Sequence, residues 1–321
     1  MNEARNGTRY TRRAVLTGTG GLAVAGLAGC LGDDESANPA IGETDSIYVA
    51  AGMPALWDFT RQVAGDHMEV VDLVPTAQHG HDFDPGPGIA RDIEDADGFV
   101  YMRDFASWQD DAAAELERND DVQVIEASAG IEFFDSPAED NDEHWWMDPV
   151  EAQTGVDNIA EGLSTIDPDH ADDYEANAAA FTEDLQELHE DFAAIVDRAE
   201  RDHLVVGTHD SFQWWHKRYD LTIDSPIGTS PDGEASARDI ERIEEYMADH
   251  GIEHVLYDIG EPRHLANSIA EETDAEVLPL SPVETQLNEH PQIPDIEADW
   301  GYLDHMRQIN FPTLEEALDA T

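Results

Sequence analysis

The longest regular pattern in the chain runs from Asp167 to about Glu200, DPDHADDYEANAAAFTEDLQELHEDFAAIVDRAE. Its apolar residues Tyr174, Ala178, Phe181, Leu185, Leu188, Phe192 and Ile195 recur at alternating steps of four and three, which places them on one stripe of a helix. Asp167 is positioned to cap the first free N–H groups, Pro168 suits a first turn, and no Gly or Pro then interrupts the chain until Gly207. At about 1.5 Å per residue the segment spans roughly 45–50 Å, the width of a domain. A helix of that length in mid-chain separates the N-terminal half from the C-terminal half, so two lobes are expected on either side. The alternative is a dimeric coiled coil, which about four heptads with Ala and Tyr at core positions would support poorly.

The 321 residues suffice for two domains with real cores. Their 73 Asp and Glu against 16 Lys and Arg, with Lys217 the single lysine, give a formal net charge of −57. That field excludes a nucleic-acid partner and is tolerable where salt screens it over a few ångströms. Acids spread over every segment, with almost no long lysine stems, read as a halophilic surface, and a carboxylate is therefore weak evidence for a site. Cys30 is the only cysteine, which rules out an intramolecular disulfide and a cysteine-built zinc site.

Residues 1–30 read as an export signal. Thr11-Arg12-Arg13 precedes a Gly and Ala rich apolar run from Ala14 to Ala28, ending in Leu27-Ala28-Gly29-Cys30. These features resemble a twin-arginine signal and a lipobox, so the protein is expected to be exported folded to the outer face of the cytoplasmic membrane and lipid-anchored at Cys30, as a monomer. Residues 31–46 are acidic, small and aperiodic, as in a flexible tether.

From Ile47 strand and helix signals alternate up to Glu126, and the alternation resumes from Leu204 to Leu280. The expected fold is α/β: two similar lobes, 47–166 and 202–321, with mainly parallel sheets, joined by one long rigid helix over 167–201. Parallel sheets bind ligands beyond the carboxyl ends of their strands, so the cleft between the lobes is the natural site.

Histidine is the informative residue type. Of the 14, His81 follows the strand signal ending at Val74, His144 stands in His144-Trp145-Trp146-Met147-Asp148-Pro149 after the last strand of the first lobe, and His209 ends the first strand of the second lobe. All three are placed to face the cleft. Three neutral imidazoles with a water or carboxylate suit Zn²⁺ in a tetrahedral shell, and Asp82, Asp148 and Asp210 are neighbours that could orient the rings. A histidine at a strand end is also commonly just a hydrogen-bonded loop residue. His79 stands between the two readings, since His79-Gly80-His81 could turn two rings to one metal. Trp214, Trp215 and Tyr219 have the spacing of core packing.

These pieces together resemble a known family, the ZnuA/TroA-like metal-binding lipoproteins of zinc and manganese ABC importers. The resemblance rests on His81-Asp82-Phe83-Asp84-Pro85, His144-Trp145-Trp146-Met147-Asp148-Pro149, Asp167-Pro168 with Tyr174-Glu175-Ala176-Asn177, Thr208-His209-Asp210-Ser211-Phe212, Gly233-Glu234-Ala235-Ser236 and Tyr302-Leu303-Asp304-His305-Met306, in that order. It implies an extracytoplasmic receptor, not an enzyme, that delivers Zn²⁺ to an ABC permease, with His81, His144 and His209 as ligands. Mn²⁺ is the alternative cargo, and an exported zinc hydrolase the alternative of another class. The fourth ligand in the family is an Asp in a Leu-Asp-Pro turn, where this sequence has Leu280-Ser281-Pro282. Asp258 and Glu261 are the main candidates to fill that position, beside water, Glu234 or Glu284. The long His-rich loop of some relatives is absent, and its place, Asp135 to Glu143, is merely acidic.

Overall fold

The computed structural model describes residues 47–81, 83–118, 121–228 and 235–320. The signal and tether expected over 1–46, together with Asp82 and Glu234, lie outside them. Four strands, β1 (Ile47–Ala51), β2 (Met68–Asp72), β3 (Gly98–Tyr101) and β4 (Gln123–Glu126), alternate with α1 (Pro54–Ala64), α2 (Pro87–Glu94) and α3 (Ser107–Leu116). All pairings are parallel in the order β2-β1-β3-β4. Alternate residues serve opposite faces: Val49, Ala51 and Val100 join one core cluster, and Tyr48, Ala50, Phe99 and Tyr101 another.

Two helices come next, α4 (Pro149–Ile166) and α5 (Ala171–Arg198). On α5 every residue of the apolar stripe is at most 4% exposed. The stripe packs along α4 and α1 and reaches aromatic residues of both halves, with Phe181 5.6 Å from Phe59 and Phe192 5.0 Å from Trp215 between ring centroids. It is therefore consumed within the chain, which removes the coiled-coil alternative. The helix starts later than Asp167. A 3-10 turn, Pro168–His170, intervenes, and the Asp167 carboxylate accepts from the Tyr174 hydroxyl (2.9 Å) and faces His170 Nδ1 (2.6 Å).

The sequence pattern did not announce α4. Gly155 and Gly162 lower its helical signal, and both are required by packing: a Cβ on Gly155 would lie 2.4 Å from the Trp145 ring, and one on Gly162 2.5 Å from Ile125. Asp148 caps the helix, accepting from Val150 N at 2.9 Å.

The second half repeats the first. Strands β5 (His203–Val205), β6 (Thr222–Asp224), β7 (His254–Asp258) and β8 (Glu276–Leu280) alternate with α6 (Gln213–Tyr219), α7 (Ala237–His250) and α8 (His264–Thr273). β5 pairs with β6 and β7 with β8, in parallel, and a parallel bridge from Val206 to Leu256 links the pairs in the order β6-β5-β7-β8. That is the strand order of the first half, so the two parallel α/β lobes expected from the sequence are present. The chain then closes with α9 (Tyr302–His305), a π-helical turn (Met306–Asn310) and α10 (Phe311–Ala317). This segment returns to the first half, where Tyr302 N donates to Asp58 Oδ2 (2.7 Å) and its hydroxyl to Trp146 O (2.6 Å). Trp214 and Trp215 are fully buried, in keeping with core packing. Among the described residues no helix is long and apolar enough to cross a membrane.

Candidate metal centre

The loops leaving β2, β4, β5 and β8 converge at the carboxyl ends of the two sheets, and each delivers one donor side chain. His81 comes from the loop after β2, His144 from the turn before α4, His209 from the end of β5, and Glu284 from the loop after β8. Their ligand atoms all lie within 4.8 Å of one another. His81 Nε2 and His144 Nε2 are 3.4 Å apart, and Glu284 Oε1 is 3.7 Å from His144 Nε2 and 3.6 Å from His209 Nε2. His81 Nε2 is 4.0 Å from Glu284 Oε2. A tetrahedral ion with bonds near 2.0–2.1 Å has ligand-to-ligand edges of about 3.3–3.4 Å, so the His81–His144 edge matches such a shell and those to Glu284 are a few tenths of an ångström longer. His144, His209 and Glu284 are fully buried, and the side chain of His81 is 12% exposed at the mouth.

Bonds between the lobes fix this arrangement. Gly80 N donates to Glu284 O (3.0 Å) and Ala77 N to Gln286 O (2.7 Å), tying the His81 loop to the Glu284 loop. Trp146 Nε1 donates to Pro282 O (2.6 Å), while Trp214 Nε1 donates to Asp142 O (3.1 Å) and Trp215 Nε1 to Met147 O (2.9 Å). The buried tryptophans beside His144 thus serve the core and hold the site in register. Val283, buried with φ 60, turns the chain so that Glu284 points inward, an unusual conformation for a β-branched residue. Asn310, from the π-helical turn, grips both backbone groups of Ser281 at 2.8 Å and holds that turn in place.

Each ring has a carboxylate at hand. His144 Nδ1 faces Asp142 Oδ1 at 3.1 Å, and His209 Nδ1 pairs with Glu261. Burial opposes a charge on His144, yet Glu143, Asp142 and Glu284 outweigh it and lift the ring to about 9. Burial in turn pushes Glu143 up to about 8, so the two titrate as a pair. For His209, burial is again outweighed, by Glu261 and Glu284, and the ring is raised well above its ordinary value. His81 goes the other way, to about 3, because burial and the neighbouring rings outweigh Glu284. Glu284 stays ionised: the imidazoles of His79, His209 and His81 overcome its burial and hold it far below the usual carboxylate range. The Ser211 hydroxyl bridges His209 Nε2 and Glu284 Oε1, so an ion taking both atoms replaces that bridge.

Of the residues singled out in the sequence, His81, His144 and His209 come together. Asp258 and Glu261 stand one step away, grouped with His79 and the far nitrogen of His209. Ser281 faces elsewhere, its hydroxyl bonded to His305 Nδ1 (2.7 Å) and to Val283 N (3.2 Å). The neighbouring aspartates also have other duties: Asp148 caps α4 and pairs with Arg218 at 2.7 Å, and Asp210 binds Phe212 N and Gln213. Asp142, from the stretch that looked merely acidic, is the residue that holds His144. Glu284, named among the alternatives for the fourth position, lies just beyond β8, a signal that 73 acids made hard to separate from the rest.

A family model described as "Zinc-uptake complex component A periplasmic" matches residues 49–317. The high-affinity zinc uptake system protein ZnuA of Bacillus subtilis is 26% identical over 307 residues, covering 91% of this chain and 94% of its own. The zinc-binding protein AdcA of Streptococcus pyogenes is 29% identical over 253 residues, covering 71% of this chain, which spans only 49% of that longer protein. The Zn(II)-bound ZnuA-like domain of Streptococcus pneumoniae AdcA superimposes with a TM-score of 0.73 at 28% identity, over 85% of this chain and 99% of that structure.

Proposed function

The chain belongs to the ZnuA family of zinc-uptake components, and from that premise we propose that it is the extracytoplasmic receptor of an ABC importer, binding Zn²⁺ through His81, His144, His209 and Glu284. The observation that carries the reading is the convergence of three Nε2 atoms and one ionised, buried carboxylate within 4.8 Å of one another. Three imidazoles with one oxygen suit a borderline ion, and they favour Zn²⁺ over Mn²⁺, which prefers more oxygen donors. The family is one of transport components rather than enzymes.

On this reading the lobes are 47–166 and 202–321, and His81 and His144 come from the first while His209 and Glu284 come from the second. An ion joins donors from both lobes across an interface already held by the tryptophan and backbone bonds. Occupancy is therefore read by a permease through the loops around the centre. The signal features of residues 1–30 and the lipobox cysteine support export and anchoring at Cys30, and the charge of −57 supports a high-salt setting. The test is competition with a chelator for Zn²⁺ in multimolar salt. Tight one-to-one binding, lost by at least a hundredfold in His144→Ala and in Glu284→Gln, is expected. Affinity unchanged in both variants would remove the assigned site.

A further inference from the structure

Beside the four donors lies a second group of side chains. His79, Asp258, Glu261 and His209 each offer an atom within 4.8 Å of the others. His79 is 7% and Asp258 1% exposed. The Nε2 atom of His79 is 3.0 Å from Asp258 Oδ2 and 3.4 Å from Glu284 Oε2. That Glu284 oxygen is buried and has no hydrogen-bond partner, and neither has His79 Nδ1. The hydrogen bonding of the His79 ring is therefore all on its inward side, through Nε2.

The backbone favours the same arrangement. Asp258 N donates to Thr208 Oγ1 (3.0 Å) and Asp258 Oδ1 accepts from Gly260 N (2.8 Å), which leaves Oδ2 free to face His79. Gly260 lets the loop close in, since a Cβ there would lie 2.3 Å from Thr285 Oγ1 and 3.2 Å from the His79 ring. Among the described residues no lysine or arginine pairs with Asp258, Glu261 or Glu284. Their ionic neighbours are all histidines. Three buried or nearly buried carboxylates facing only imidazoles form a nitrogen and oxygen donor set in which a divalent cation can replace the protons that the rings otherwise hold.

We propose that His79, Asp258 and Glu261 form a second divalent-cation position that shares His209 with the first. One imidazole and two carboxylates, with His209 at the boundary, suit Zn²⁺, Co²⁺ or Mn²⁺. With Nε2 of His209 committed to the first ion, Nδ1 can bind the second only by releasing its proton to solvent and bridging as imidazolate, so the second ion is the weaker and rests mainly on His79, Asp258 and Glu261. The chain then holds two ions at the cleft, one secured by both lobes and one mainly by the His79 loop and the loop after β7. This rests on the receptor reading only through the shared histidine.

The test is a Co²⁺ titration of the protein in multimolar salt, monitored by visible absorption. Histidine-bound cobalt of low coordination number absorbs strongly, whereas hydrated cobalt on surface carboxylates absorbs weakly, so the acidic surface stays silent. Two saturating phases of one equivalent each are expected. His79→Ala and Asp258→Asn should each abolish the second phase and keep the first at full amplitude, which also reports that the fold is intact. His144→Ala should abolish the first. A single phase that disappears in His144→Ala leaves the receptor reading standing and overturns the second position, as does a second phase that survives His79→Ala. The absence of any phase overturns both.

Discussion

Zinc binding at the four-donor centre should depend steeply on pH, and the structure fixes how steeply. Before an ion enters, His209 is held protonated by Glu261 and Glu284, and the His144–Glu143 pair carries a proton up to about 8–9. His81, pushed down to about 3, has none to give, and Glu284 is already ionised. Each Zn²⁺ therefore expels at least two protons, and its apparent affinity rises by about two decades per pH unit below pH 8, or roughly ten-thousandfold between pH 6 and 8. At pH 7 a ring raised to about 9 is almost wholly protonated, which alone weakens binding by roughly 3 kcal/mol.

The sign for the ion-free protein is opposite. His144 is raised from an ordinary 6.5 to about 9, so its contribution of about 3 kcal/mol is fully present below pH 6.5 and lost as pH climbs through 9. Calorimetry in buffers of different ionisation enthalpy counts the protons, and chelator competition at several pH values gives the slope. An affinity that changes by less than tenfold from pH 6 to 8, with under one proton released, would refute the assignment of charged histidines to this centre.

Three further substitutions probe the frame around it. Gly155→Ala drives a methyl group to within 2.4 Å of the Trp145 ring and should destabilise the protein by roughly 1–3 kcal/mol in denaturant unfolding. Tyr302→Phe strips the buried Trp146 carbonyl of its 2.6 Å donor, an expected loss of about 1–3 kcal/mol. It should also weaken Zn²⁺ binding measurably, because Trp146 adjoins His144. Ser281→Asp puts a carboxylate where the resemblance in sequence leads one to expect an aspartate, but against His305 and away from the four donors. Stability should fall by about 1–3 kcal/mol with zinc affinity unchanged within threefold, and a gain in affinity would show that Ser281 reaches the centre.

Sequence alone determined the elements with strong periodicity. The four-and-three stripe from Tyr174 to Ile195 can be buried only as a helix, and the alternation of apolar strands with helices leaves little besides parallel sheets with sites beyond their carboxyl ends. That rule was enough to single out His81, His144 and His209, because imidazole is rare enough to stand out in this chain. It did not find α4, whose glycines dilute the pattern for the sake of Trp145 and Ile125. Nor did it separate Glu284 from the preferred Asp258 and Glu261, which stand one step from the four donors, since the composition gives every acid the same surface explanation.

Tertiary structure decided which acids matter. Glu284 enters the centre because the π-helical turn grips Ser281 and Val283 turns the chain inward. Asp142, rather than Asp148, meets His144, and Glu261, rather than Asp210, meets His209. Some of these contacts join residues as far as 52 positions apart in the chain. Periodicity reports the face a residue occupies on its own element. Which side chain meets it across a cleft is settled only when the loops of two sheets pack together.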